Sequence, residues 1–149
     1  MEAGAARAII GSAALEDPEF LSSAVELYGD RIAVGIDARD GFVQTKGWVE
    51  TTQVLATDLA KAVAAAGVTS IIYTDTATDG MLGGPNLTQM AAICDAAPGC
   101  QITASGGVSS PYDIENLKAL GRSNLRAAIV GKALYDGRTT LREMNIAAL

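Results

Sequence analysis

Five short apolar runs dominate the pattern of hydrophobic and polar positions along the chain. Within each run the apolar residues are consecutive and often β-branched, a pattern typical of parallel strands covered on both faces. The runs occupy positions 8–10, 32–34, 70–73, 101–104 and 127–130. Each is followed by a small or polar residue, and these end points lie 25 to 38 residues apart, close to the length of one strand-helix unit.

Helix signals fill the gaps between the runs. Asp17-Pro18, Asn86 and Pro111 are typical helix starts, and glycines follow several of the predicted helix ends. The predicted helices cover 18–28, 53–66, 87–96 and 111–120, and a last one contains Leu141 and Met144. This regular alternation of strand and helix leaves two architectures, a doubly wound sheet or part of a (βα)8 barrel.

The number of units favours the barrel. A complete (βα)8 barrel usually takes about 250 residues, whereas this chain has 149 residues and about five βα units, and its first run begins almost at Met1. We therefore predict an α/β fold: residues 1–149 form a single partial TIM-barrel domain with parallel strands, the C-terminal portion of a (βα)8 barrel. Such a half-barrel has two open sheet edges, which predict self-association or pairing with an N-terminal half-barrel.

Composition narrows the possible partners. The formal net charge of −6 argues against nucleic acid or an anionic membrane as the main partner, since both favour a positively charged surface. The chain has no histidine, which excludes His-dependent nucleophilic catalysis and His-ligated metal sites. Its two cysteines, Cys94 and Cys100, are too few for a four-thiolate zinc site and are interpreted as buried thiols. No apolar run is long enough to span a bilayer, and the sequence predicts a cytoplasmic protein.

Candidate chemistry lies just after the apolar runs, because ligands of parallel α/β folds gather at the carboxyl ends of the strands. Asp37 follows the second run and is the best acid-base candidate, with a carboxylate satisfied by nearby loop amides as the alternative. The loop that begins at Thr74 contains Asp79 and three glycines and is long enough to be a binding loop. Trp48, the sole tryptophan, lies beyond Asp37 after a hairpin-like segment and either stacks on a flat substrate or covers the rim.

Glycine-rich segments at two strand ends indicate phosphate binding through backbone amides. Gly106, Gly107 and Ser109 follow the fourth run, and Gly131 follows the fifth. The phosphate site of a barrel characteristically lies between its last two loops, which these are in the predicted order. Gly11-Ser12 after the first run is a second, weaker phosphate cradle.

As a set, these segments resemble the phosphoribosyl-formimino aminoimidazole carboxamide ribotide (ProFAR) isomerases of histidine biosynthesis. The matching stretches include Val34-Gly35-Ile36-Asp37-Ala38-Arg39-Asp40-Gly41, Asp79-Gly80-Met81-Leu82-Gly83-Gly84-Pro85-Asn86 and Ala104-Ser105-Gly106-Gly107-Val108-Ser109-Ser110. Further matches at 8–15, 46–48, 73–75 and 129–135 keep the same order along the chain. The resemblance aligns the chain with strands four to eight of that family's barrel.

The resemblance implies an Amadori rearrangement of an aminoaldose to an aminoketose by acid-base catalysis, without metal or organic cofactor. It implies that Asp37 is the general acid, that Thr74 and Asp79 position the reacting ribose, and that Trp48 lies over the substrate. The substrate is a ribotide with two phosphates. The amides of Gly106, Gly107, Ser109 and Gly131 would bind one phosphate, and Gly11 and Ser12 would contribute to the other site.

Two parts of the family's site have no counterpart in this sequence. The partner carboxylate on strand one and the glycine-rich loop after strand three are both missing, so we expect the chain alone to have negligible isomerase turnover. Three other interpretations stay open. They are a dual-substrate isomerase of histidine and tryptophan synthesis or the related cyclase, a non-catalytic phosphate-binding and self-associating fragment, and an independent doubly wound domain.

Overall fold

The computed structural model describes residues 3–149. Its strands are β1 (Ala8–Ile10), β2 (Ile32–Arg39), β3 (Phe42–Thr45), β4 (Glu50–Leu55), β5 (Ser70–Asp75), β6 (Gln101–Ser105) and β7 (Leu125–Ala128). Its helices are α1 (Ala13–Glu16), α2 (Pro18–Tyr28), α3 (Ala56–Ala65), α4 (Leu87–Ala96), α5 (Pro111–Ala119), α6 (Lys132–Tyr135) and α7 (Leu141–Ala148). A short 3-10 turn, Gly29–Arg31, connects α2 to β2.

The strands form one seven-stranded, mostly parallel sheet. The parallel strands β1, β2, β5, β6 and β7 are neighbours in chain order. A doubly wound sheet instead reverses its strand order at a switch point, and the described strands show no such reversal. β3 and β4 form an antiparallel extension on the C-terminal half of β2. The sequence prediction of an α/β fold with alternating βα units is confirmed.

The helices pack on one face of the sheet. On that face the in-register residues Ile36, Tyr73 and Ala104 are fully buried and share one hydrophobic cluster with apolar side chains of α2, α3, α4, α5 and α7. The opposite face is only partly covered: Ile9 is 60% exposed and Ile72 and Thr103 are half-buried, whereas Ala33, Ser70 and Thr74 are buried. The prediction that both faces of the strands are covered therefore holds only in part for the residues that the structure describes. We call this opposite surface the open face.

The predicted starts of α2, α4 and α5 are confirmed, and each is preceded by its capping residue. The Asp17 carboxylate accepts a hydrogen bond from the Phe20 amide (3.0 Å), with Pro18 as the first helical residue of α2. The Asn86 side chain caps α4 by accepting from the Gln89 amide at 3.1 Å. Both α5 and α7 begin with capping boxes, in which a side chain at each end of the first turn satisfies a free amide.

Three predicted boundaries are wrong. The second strand ends at Arg39 and not at position 34, because its last three residues pair with β3. Residues 53–55 belong to strand β4 and not to the helix, because Thr51 and Leu55 pair with β3 and extend the hairpin beyond Asp37. The last strand is 125–128 instead of 127–130: a register shift between Ile102 and Thr103 moves its pairing with β6 towards the N-terminus. The Ile129 amide still donates to the Ala104 carbonyl at 2.8 Å, so the chain remains extended there.

Both cysteines are buried and unbridged, as predicted. Burial raises the pKa of the Cys94 thiol to about 11, and it also raises the pKa of Cys100, whose thiol points to the Val68 carbonyl at 3.1 Å. Across residues 3–149, no helix combines the length and the apolar character needed to cross a bilayer.

Candidate functional site

The central residues of the site form one row across the sheet. Asp37 of β2 is in register with Thr74 of β5, and Thr74 is in register with Ser105 of β6. Residues in register on parallel strands point to the same side, so all three side chains belong to the open face, near the carboxyl ends of the strands. Asp37 lies inside β2 and not after it, because β2 continues to Arg39 to pair with β3. Thr74 is 8% exposed and Asp37 is half-buried.

The sole tryptophan lies directly on the candidate acid. The Trp48 indole Nε1–H donates to the Asp37 carboxylate with an Nε1–Oδ2 distance of 2.8 Å. Trp48 is 44% exposed and ends a run of three left-handed residues, with φ angles of 52° at Lys46, 65° at Gly47 and 73° at Trp48. Two of these three are not glycine, and left-handed geometry costs such residues roughly 1–2 kcal/mol each. The turn therefore holds its indole over Asp37 against a conformational cost.

The same turn contacts the first strand-end loop. The Lys46 amide donates to the Ser12 hydroxyl at 3.0 Å, and the Lys46 ammonium pairs with Glu50 at 2.9 Å. Ser12 precedes the four-residue helix α1, and the Gly11 carbonyl accepts from the Ala14 amide at 2.9 Å. Gly11 and Ser12 thus lie on the side of the Trp48 turn, away from the other glycine-rich loops.

Three of the predicted phosphate-binding glycines line one cavity. The cavity has a volume of about 200 Å³ and lies between the loop after β5, the loop after β6 and the start of α6. Gly106, Gly107 and Gly131 line it together with Asp79 and Lys132. The Lys132 ammonium is 3.4 Å from the Gly80 carbonyl, so the one cation among the lining residues bridges two of these loops. Residues of the last two strand-end loops, after β6 and β7, thus lie around one cavity, and their role as a phosphate site stays a prediction.

The paired glycines are required by the close approach of these two loops. A Cβ on Gly107 would lie 2.3 Å from the Gly84 carbonyl oxygen, and one on Gly106 would lie 2.6 Å from the Asp75 carbonyl oxygen. Both glycines have left-handed φ angles, 79° at Gly107 and 98° at Gly106. The Gly84 amide also donates to the Gly107 carbonyl at 3.1 Å. Both glycines therefore allow the two loops to pack closely, and both also line the cavity.

Ser109 does not line this cavity. Its amide donates to the Asp113 Oδ2 atom at 2.8 Å, and the Ser110 amide donates to the same oxygen at 2.9 Å. The Ser109 hydroxyl reaches Asp113 as well, at 3.1 Å. The amides that start α5 are thus directed to a carboxylate of their own helix. The Ser109 amide was expected to donate to a phosphate oxygen, but in the structure it donates to an oxygen of Asp113.

Asp75 fixes both ends of the long loop that carries Asp79. It is 2% exposed, and its Oδ1 atom accepts from the amides of Ala77 (2.9 Å) and Thr78 (3.2 Å). Its Oδ2 atom accepts from the Asn86 side-chain amide at 2.7 Å. Because Asn86 also caps α4, the loop is held between the end of β5 and the start of that helix.

Sequence reasoning did not assign a role to Lys132, Asp75 or Asp113. Lys132 follows a strand-end glycine, which was a usable signal. The two aspartates carried no signal, because a capping carboxylate and a ligand-binding one look alike in sequence. Within residues 3–149, no three His, Cys, Asp or Glu side chains come together as a metal site would require.

Comparison with known proteins adds the following findings. A family model described as "Histidine biosynthesis protein" matches residues 1–140. A relative from Listeria welshimeri is 51% identical over 144 residues, and one from Geobacillus thermodenitrificans is 48% identical over 143. A third, from Trichlorobacter lovleyi, is 49% identical over 140 residues. All three are named 1-(5-phosphoribosyl)-5-((5-phosphoribosylamino)methylideneamino) imidazole-4-carboxamide isomerase.

The aligned region covers most of this chain but a smaller share of each relative. It includes 97%, 96% and 94% of this chain, respectively, but 58%, 58% and 57% of the three relatives. The chain therefore spans less than two thirds of the length of the curated relatives it matches.

Proposed function

We propose that this chain, which belongs to the histidine biosynthesis protein family, carries the acid and one phosphate site of the isomerisation after which its relatives are named. The observation that carries the proposal is the placement of Asp37. Its carboxylate lies on the open face beside Thr74. The loops that follow β5, β6 and β7 in the same sheet line the glycine-lined cavity. An acid and an anion site on one edge of a sheet are what a phosphorylated sugar substrate requires.

In this proposal Asp37 protonates the ribose ring oxygen, which opens the ring and gives a protonated imine. A base then removes the proton from the adjacent carbon. Thr74, in register with Asp37, orients the ribose, and Asp79 reaches it from the loop after β5. The Trp48 indole occupies the Asp37 carboxylate at 2.8 Å, so the substrate has to displace it before the acid can act.

One phosphate of the doubly phosphorylated substrate binds in the cavity of about 200 Å³. There the amides of Gly106, Gly107 and Gly131 donate to its oxygens, and the Lys132 ammonium offsets its charge. Ser109 contributes indirectly, through the loop that it ties to Asp113. Gly11 and Ser12 contribute to the second phosphate site on the Trp48 side. No metal or organic cofactor takes part in this chemistry.

The proposal extends to the barrel itself. We place residues 1–149 as one unit equivalent to strands four to eight of a (βα)8 barrel, with the open face as part of its interior. The one-sided packing of helices and the unreversed strand order support this arrangement. On this account, strands one to three supply the partner carboxylate and complete the second phosphate site, and the chain without them has negligible turnover. A cytoplasmic location agrees with two unbridged, buried thiols.

A non-catalytic phosphate-binding role is the second candidate, and one observation favours it. Within residues 3–149, the cavity is lined by the loops after β5 and β6 and by the segment that leads from β7 into α6. Such a chain would bind a phosphomonoester whether or not a partner base is present.

The test is reconstitution. The purified chain is mixed with a polypeptide that supplies the remaining barrel modules of a relative, and conversion of the ribotide is followed. We expect turnover in the mixture and a loss of at least a hundredfold for Asp37→Asn, whereas Asp40→Asn in the neighbouring hairpin turn retains activity. No turnover together with saturable phosphate binding selects the second candidate. Turnover by the chain alone contradicts the assignment of a missing base.

A further inference from the structure

A buried glutamine lies one strand away from the candidate acid. The Gln44 side chain is 8% exposed, although glutamine is mostly found at the protein surface. Gln44 belongs to β3 and is in register with Asp37 of β2 on one side and with Thr51 of β4 on the other. Residues paired in this way project to the same side of a sheet, so Gln44 lies on the same side as Asp37.

The side chain of Gln44 links β3 to two other segments. Its Nε2–H donates to the Thr51 hydroxyl at 3.1 Å. Its Oε1 atom accepts a hydrogen bond from the hydroxyl of Thr76, the first residue after β5, which is also buried. The Thr76 amide in turn donates to the Ala38 carbonyl of β2 at 2.9 Å. The oxygen and the nitrogen of the Gln44 amide therefore both have a partner, as burial of a polar side chain requires.

The hydrogen bond between Gln44 and Thr76 joins two segments of the candidate site that are distant along the chain. The hairpin of β3 and β4 carries Trp48 in its turn, and the loop after β5 carries Asp79 and lines the cavity of about 200 Å³. Among the side-chain hydrogen bonds within residues 3–149, this is the one that runs from that hairpin to that loop. It therefore ties the segment that covers the acid to the segment that lines the phosphate cavity.

Of these two segments, the loop is fixed by its own contacts and the hairpin turn is not. The Asp75 carboxylate binds two loop amides and the Asn86 side chain, so the loop keeps its shape without Gln44. The hydrogen bonds that Lys46 and Trp48 make in the turn lie at the exposed surface, where water competes for both partners. The bond of Gln44 is buried, and the hairpin therefore takes its position from the loop.

We propose that Gln44 is a positioning residue of the site, which anchors the hairpin to the loop after β5 and so keeps the Trp48 indole over Asp37. Gln44 acts through Thr76, and its own hydrogen bonds go to two threonines and not to the acid. Its contribution to the reaction rests on the proposed function, whereas its anchoring of the indole does not. The two parts are therefore tested separately.

The experiment uses the sole tryptophan of the 149-residue chain as its reporter. Because Trp48 is the only tryptophan, its indole N–H gives a single resonance in the nitrogen-labelled chain. Gln44→Leu removes the anchor at similar volume, and it leaves no hydroxyl unpaired because Thr76 can donate to the Ala38 carbonyl, 3.2 Å away. We expect solvent exchange of the indole N–H to become about three- to tenfold faster, the effect of one lost buried hydrogen bond on a local opening.

Two variants of Thr76 separate the hydrogen bond from the shape of the side chains. Thr76→Val keeps the volume but removes the donor to Gln44, so indole exchange should accelerate as it does in Gln44→Leu. Thr76→Ser keeps the donor, so its exchange rate should stay within about twofold of the parent. Gln53→Leu is the matched control, because Gln53 is exposed on the same hairpin and makes no side-chain hydrogen bond within residues 3–149.

Further readouts distinguish anchoring from a general loss of stability. Exchange of the amide of Ile71, a fully buried residue in the middle of the sheet, should keep the parent rate. The affinity for inorganic phosphate should stay within about twofold, because the cavity loop keeps its Asp75 contacts. In the reconstituted mixture, Gln44→Leu should raise the KM for the ribotide about three- to tenfold and leave kcat within about twofold, since Asp37 and Thr74 stay on their strands.

Indole exchange that stays at the parent rate in both Gln44→Leu and Thr76→Val would overturn the proposal. A parallel acceleration at Ile71, or a Thr76→Ser variant that behaves like Thr76→Val, would equally overturn it, because the effect would then reflect stability or shape alone. An active mixture whose KM does not change would overturn the contribution to the reaction. A mixture without turnover would count against the isomerase assignment, and the indole measurement would still decide the anchoring.

Discussion

Replacing Gly107 with alanine tests the packing of the two loops that form the phosphate cavity. The added Cβ would lie 2.3 Å from the Gly84 carbonyl oxygen and 3.1 Å from the Thr78 Cβ, on a residue whose φ is 79°. The first contact is with backbone, so the 80–84 loop must move by about 1 Å to reach an ordinary van der Waals distance. That movement breaks the hydrogen bond from the Gly84 amide to the Gly107 carbonyl.

The cost has two parts. Left-handed geometry disfavours alanine by about 1–2 kcal/mol, and losing one backbone hydrogen bond costs about 0.5–1.5 kcal/mol. We therefore expect Gly107→Ala to lower the free energy of unfolding by roughly 2–3 kcal/mol and to weaken binding of inorganic phosphate at least tenfold.

Gly83→Ala is the matched control. Gly83 belongs to the same loop, its Cβ would meet no atom within 4 Å, and its φ is not left-handed. This variant should stay within about 0.5 kcal/mol of the parent. Urea unfolding gives the stabilities, and isothermal titration calorimetry gives the phosphate affinities. A Gly107→Ala chain that is as stable and binds phosphate as well as Gly83→Ala would refute the described loop contact.

Three further predictions address other parts of the structure. Asp75→Asn turns one accepting oxygen into a donor that faces either the Asn86 side-chain amide or two loop amides. Urea unfolding should therefore show that the free energy of unfolding falls by about 1–3 kcal/mol, and unchanged stability would contradict the described hydrogen bonds of Asp75. Trp48→Phe removes the indole N–H that donates to Asp37 from a half-exposed ring, so the free energy of unfolding should change by less than about 1 kcal/mol. Protection of the neighbouring Lys46 amide from hydrogen exchange should fall, and equal protection would contradict the described conformation of the 46–48 turn. Burial raises the pKa of Cys94 from 9.0 to about 11, so ionisation of this thiol favours the unfolded chain. The stability contributed by the neutral thiol is complete below pH 9 and is lost between pH 9 and 11. Cys94→Ala should therefore flatten that part of the stability-pH curve, and a curve of unchanged shape would contradict the burial effect.

Much of the fold could be predicted from local sequence signals. The strand cores and the starts of α2, α4 and α5 follow from consecutive apolar residues and from Asp17, Asn86 and Pro111, whose effects are local. The β4 strand could not be predicted, because Gln53, Val54 and Leu55 also fit a helical pattern, and pairing with β3 decides between the two.

The candidate site divides in the same way. That Asp37, Thr74 and the glycines lie near the carboxyl ends of the strands followed from the βα repeat, since parallel strands bring these ends together, although Asp37 lies within β2 and not after it. The partners of individual polar groups did not follow. That Ser109 faces Asp113, and that Trp48 donates to Asp37, depends on loop conformations that residue types alone do not specify.

The most direct test of the central claim is a titration of the isotope-labelled chain with inorganic phosphate and with ribose 5-phosphate, followed by amide chemical shifts. The account predicts saturable shifts at Gly106, Gly107, Gly131 and Lys132, which line the cavity. The Ser110 amide, already bound to Asp113, should move much less. Shifts confined to other parts of the sheet, or no saturable shift at millimolar ligand, would contradict the assignment of this cavity as a phosphate site.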